Sequence, residues 1–87
     1  MELVLTSDSD PAVEAAVYGA WIIRDQPFPG NNRELGYEVM RQMLRDAGLS
    51  WPEEDAAEIE AMLDDVEAGR AGVAEFVDWV RRRAVRA

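Results

Sequence analysis

Asp25-Gln26-Pro27-Phe28-Pro29-Gly30-Asn31-Asn32 packs two prolines, one glycine and two asparagines into eight residues, the composition of an ordered turn rather than of a helix or strand. What lies on either side of it decides the fold. Upstream, Ser9 or Asp10 offers a cap and Pro11 occupies a first helical position, where the missing amide hydrogen is harmless. Val13, Ala16, Val17, Ala20 and Trp21 then recur at helical spacing, which predicts a helix over residues 11–24 with that face inward. Downstream, a second helix opens at Asn31 or Asn32 and runs to Ala47. Its inward set is Leu35, Val39, Met40, Met43, Leu44 and Ala47, and Gly48 is its left-handed stop.

The remainder continues the helical pattern. Ser50 with Pro52 and Glu53 reads as a capping box that opens a third helix, whose face of Ile59, Met62, Leu63 and Val66 ends near Gly69. A fourth helix over about 72–83 turns Val73, Phe76, Val77 and Val80 to the core. Residues 1–5 alternate like a strand without a mate in the chain, and read as an extended arm or as a strand paired across a dimer. The sum is an all-α fold, a small bundle of about four helices in one domain over 1–87. Residues 1–10 form the N-terminal arm, 11–83 the helical core and 84–87 a tail. Met40, Met43, Met62 and Trp79 lie at core spacing and read as packing. Trp21 and Trp51 sit near the ends of their elements, where they either pack or edge a pocket.

Composition removes whole classes of chemistry. The chain has 87 residues, no cysteine and no histidine, so disulfides, zinc-finger spacings, thiol nucleophiles and imidazole bases are absent. A chain of this size buries roughly 60–65% of its unfolded surface, so a partner would add to its stability. The net charge of −9 repels nucleic-acid phosphates at long range, and the arginine cluster at the C-terminus has no interleaved aromatics, so nucleic acid is not an expected partner. No run approaches the ~20 apolar residues that span a bilayer, and residues 1–5 lack the basic region of a signal peptide, so neither membrane binding nor export is expected and the protein reads as cytoplasmic. Charge is unevenly spread: residues 53–67 hold eight acids and no base, while Arg81, Arg82, Arg83 and Arg86 crowd the C-terminus. This pattern reads either as a solvated acidic face with a helix end complementing its dipole, or as an acidic docking surface for a basic partner.

At the turn, Gly30, Asn31 and Asn32 stand at a helix start, where unpaired amides and the positive dipole end converge on an anion. Arg33 in the first turn adds a bidentate donor for phosphate or carboxylate. The same residues equally make a plain proline-glycine entry into a helix.

An apolar helix, the loop Gln26-Pro27-Phe28-Pro29-Gly30-Asn31-Asn32-Arg33, and a second apolar helix ending Leu44-Arg45-Asp46-Ala47-Gly48-Leu49 together resemble the core of Fic/Doc proteins. The resemblance spans residues 11–83. In that family the loop reads His-Pro-Phe-x-(acid or small)-Gly-Asn-x-Arg and holds nucleotide phosphates at the start of the second helix. The resemblance makes Pro27 and Phe28 the motif's proline and its core-anchoring aromatic, Gly30 and Asn31 its glycine-asparagine pair, and Arg33 its phosphate-contacting arginine. Gln26 stands at the position of the histidine that deprotonates the target hydroxyl, and a glutamine amide has no basic form near neutral pH. The loop is one residue short between Phe28 and Gly30, which removes the family's metal-binding acid, so no metal is expected. Glu34 follows Arg33 where the family has a small residue, and reads as repelling a phosphate, pairing with Arg33, or complementing the helix dipole. The family also carries helices ahead of the first one here, and without them apolar surface on the first two helices is expected to be covered by a second copy or a small protein partner.

Three functions follow. The first is a non-catalytic Fic-like binding or regulatory module with a residual pocket for a nucleotide or other anion and no cofactor. The second is an enzyme of the same fold put to another reaction, the tailoring of a small molecule or peptide, with acid–base groups drawn from Asp25, Glu34, Tyr37 and Glu38. The third is a toxin-type nucleotidyl or phosphoryl transferase, and only this one calls for ATP or another nucleotide with magnesium.

Overall fold

The computed structural model describes residues 10–86. Residues 1–9 of the expected N-terminal arm, including any cap from Ser9, lie outside them. Four helices follow in order: α1 (Pro11–Asp25), α2 (Asn32–Asp46), α3 (Ala56–Ala68) and α4 (Val73–Arg83), with two-residue strands β1 (Leu49–Ser50) after α2 and β2 (Val85–Arg86) after α4. The fold is a small all-α bundle.

Asp10 is the N-cap of α1, its Oδ1 accepting the Ala12 amide at 2.9 Å, which satisfies one of the orphan donors of the first turn. The helix ends where Gln26 takes a left-handed conformation (φ 53°) and returns its amide to the Ile22 carbonyl. The six-residue loop then reverses the chain, so α2 packs antiparallel along α1.

The contact between these two helices sets the face of α1. Gly19 and Gly36 meet across it: a β-carbon on Gly36 would lie 2.8 Å from the Gly19 carbonyl oxygen and 2.8 Å from Ile23 Cγ1, and one on Gly19 would lie 3.0 Å from the Gly36 carbonyl oxygen. Backbones can approach this closely only where both helices present their smallest residues. Helix α1 therefore buries Ala12, Ala15, Ala16, Gly19, Ala20, Ile22 and Ile23. This corrects the expected inward face, because Val17 and Trp21 point to solvent at 45% and 46% exposure. On α2 the core takes Met40 and Leu44, while Leu35 and Ala47 are exposed and Val39 and Met43 are half-buried.

Helix α3 presents Ile59, Leu63 and Val66, and α4 presents Phe76, Trp79 and Val80, so these two faces follow the helical periodicity. Helix α3 starts later than the capping-box pattern indicates. Its N-cap is Asp55, because Ser50 is held in β1 opposite Val85 and Leu49 opposite Arg86. Within the segment expected as a tail, residues 85–86 are thus the antiparallel partners of residues 49–50.

Trp51, just beyond β1, stacks edge-on to Trp79 with centroids 5.3 Å apart and to Tyr37 at 6.3 Å. The Arg83 guanidinium lies over both indoles, 5.4 Å from Trp51 and 5.6 Å from Trp79, and its Nε donates to the Pro52 carbonyl at 3.1 Å. This cluster joins the first half of α2 and the segment after β1 to the last turns of α4.

Candidate functional site

The loop residues do gather into one place. Gln26, Pro29, Gly30, Asn31, Asn32, Arg33 and Glu34, with Glu67 from α3, line an open cleft of about 260 Å³. Asn31 is the N-cap of α2 in a left-handed conformation (φ 59°), and its side chain makes no capping hydrogen bond.

Asn32 is the buried polar residue of the described chain, at 6% exposure. Its Oδ1 accepts the Phe28 amide at 3.0 Å and its Nδ2 donates to the Phe28 carbonyl at 2.9 Å. Both ends of its side-chain amide are therefore occupied in fixing the loop against the helix it precedes. Phe28 itself is 45% exposed. The aromatic expected to anchor the core instead lies outside it, because the Asn32 bonds hold the loop through the Phe28 backbone and leave the ring free.

Arg33 is directed away from the helix start and onto α3. Its guanidinium donates to Glu60 at 2.6 Å, to Glu67 at 3.2 Å and to Asp64. Glu60, Asp64 and Glu67 recur at helical spacing on one face of α3, so a single planar guanidinium spans the row. The arginine is stabilised further in its charged form, first by the hydrogen bond to Glu60 and then by those to Glu67 and the charge of Asp64, against the opposing effect of burial. Gln26 joins the same cluster: its Nε2 donates to Glu67 at 3.3 Å and to the Ile23 carbonyl at 3.4 Å.

The other sequence candidates fall elsewhere. Asp25 is exposed in the last turn of α1. Glu38 pairs with Arg41 at 2.9 Å, and with Gly30, Asn31, Glu34 and Leu35 it borders a shallow outer surface. The Tyr37 hydroxyl accepts Trp51 Nε1 at 2.8 Å and donates to Glu53 at 3.4 Å. Burial pushes the Tyr37 phenol above its ordinary range, the Trp51 bond opposes this, and the Glu53 charge adds to it, so the group ionises less readily than a free tyrosine. Trp51 edges a separate cleft with Arg41, Arg45, Leu49 and Ser50. Trp21 borders neither this cleft nor the one at the loop.

No protein-family model, curated protein or solved structure matches this chain. The cleft holds one arginine whose donors face three carboxylates, and Glu34 and Glu67 are part of its lining. Such a surface favours neither phosphate nor another anion. Two of its determinants were not legible as such in the sequence, namely the two-point bond of Asn32 and the acid row on α3. A signal for the second exists in the spacing of Glu60, Asp64 and Glu67 and in Arg33 being the one cation of the loop.

No described helix is long and apolar enough to cross a membrane.

Proposed function

We propose that the chain is a non-catalytic binding or regulatory module of Fic/Doc-like design, acting through association with a second copy of itself or a small protein rather than through a nucleotide. The observation that carries this reading is the engagement of Arg33 by Glu60, Asp64 and Glu67. In the family the loop resembles, the corresponding arginine is free to hold phosphate. Here its donors stabilise the docking of α3, and an entering anion would have to displace three carboxylates from it.

Gln26 supports the same reading. At the position of the family's histidine it donates hydrogen bonds to Glu67 and to the Ile23 carbonyl, and its amide has no basic form that could take up a proton. The reading needs no cofactor, and ATP with magnesium belongs only to the family's own reaction.

Calorimetric titration of the purified protein with inorganic phosphate and with magnesium-ATP tests it. The expected result is no heat and no shift in melting for either. Saturable binding abolished by Arg33→Ala, or transfer of nucleotide label to any protein, overturns it.

A further inference from the structure

Among the described residues, the outer side of α1 carries a stripe that the bundle leaves unpartnered. Glu14, Val17, Trp21 and Arg24 succeed one another at steps of three, four and three residues, and all four are exposed. This is the spacing of a helix-pairing seam. It lies opposite the small-residue face that packs on α2, with Tyr18 beside it at 55% exposure.

The order along the stripe is acid, apolar, apolar, base, and that order is self-complementary in one orientation only. Two copies of α1 laid antiparallel about a two-fold axis near Gly19 set Glu14 of each against Arg24 of the other, and Val17 of each against Trp21 of the other. Laid parallel, they would set acid on acid and base on base. Six of the nine arginines form ion pairs within the described chain, yet among the described residues neither Glu14 nor Arg24 has an ion-pair partner. The charges that flank the apolar pair are thus available to a second molecule.

We propose that the Glu14, Val17, Trp21 and Arg24 face is the seam of an antiparallel α1–α1 homodimer with isologous two-fold symmetry. The proposal rests on the self-association part of the reading above and uses no residue of the loop. Helical rise makes the seam about 15 Å long, a small interface, so dissociation in the micromolar range is expected.

Sedimentation of the whole chain at increasing concentration tests this, in about 0.15 M salt where a screening length of about 8 Å mutes repulsion between two acidic molecules. A reversible dimer is expected, weakened at least about tenfold by Trp21→Ser or Val17→Ser, which remove exposed side chains and leave the core intact. Glu14→Arg and Arg24→Glu should each weaken it roughly tenfold by placing like charges together, and the double exchange should restore it to within about threefold. Helix content by circular dichroism identifies any variant that loses α1, and the two serine variants then carry the test. A monomer at every concentration overturns the proposal, as does a dimer indifferent to these substitutions or a double exchange no better than either single. Since phosphate and nucleotide titrations report on the loop alone, failure here is separable from failure of the reading there.

Discussion

Asn32 shows how a residue expected to serve a ligand comes to serve the backbone. Its carboxamide matches the Phe28 amide and carbonyl with donor and acceptor at once, which an ionised carboxylate, an acceptor only, cannot reproduce. Asn32→Ala is therefore expected to destabilise the fold by about 1–3 kcal/mol, measured by urea unfolding, through the loss of two net hydrogen bonds at a buried position. Tyr37 gives a prediction in pH. The phenol, ordinarily near 10.0, titrates higher in the folded chain, so above that ordinary value the native state holds a proton that the unfolded state has released. Stability is then full below about pH 10 and falls as pH rises through the folded value. Tyr37→Phe should flatten that part of an alkaline unfolding profile while also losing the acceptor of the Trp51 indole.

At the scale of elements, the α1–α2 contact depends on two glycines rather than on large apolar side chains. An exposed glycine inside a helix usually gains about 1 kcal/mol on replacement by alanine. At Gly36 the new methyl would meet the Gly19 carbonyl oxygen and Ile23 Cγ1, each at 2.8 Å, and the backbone oxygen cannot move without separating the helices. Gly36→Ala is expected to reverse the usual sign and lower stability by about 1–3 kcal/mol in thermal or urea unfolding. Gly19→Ala, with contacts at 3.0 and 3.1 Å, should lose less. The same contact explains why Val17 and Trp21 face outward: a helical period marks which residues share a face, but two apolar faces competed on α1, and the one bearing alanine and glycine allowed the closer approach.

For the molecule as a whole, Arg33 ties the loop and the start of α2 to α3 through an acid row that would otherwise repel itself. The carboxylates of Glu60 and Asp64 are more than half exposed, so solvent screens much of the attraction and Arg33→Ala is expected to destabilise by about 1–2 kcal/mol rather than more. The loss should shrink in 1 M salt, which a pair of unfolding curves at low and high salt would show. An unchanged stability at low salt would mean that α3 is held by Ile59, Leu63 and Val66 alone.

Much of the architecture was legible in the chain itself. Periodicity and punctuation determined the four helices, the stops at Gly48 and Gly69, and the inward faces of α3 and α4, because these depend on local backbone preference and on one apolar stripe per helix. The composition of residues 26–32 likewise marked the turn where the cleft lies. Tertiary structure alone decided which face of α1 is buried, that residues 49–50 pair with residues 85–86 and delay α3, and that Arg33 turns to α3 instead of to the mouth of its own helix. Each of these depends on groups distant in sequence coming within contact range, where backbone approach and charge pairing choose among options that local pattern leaves equal.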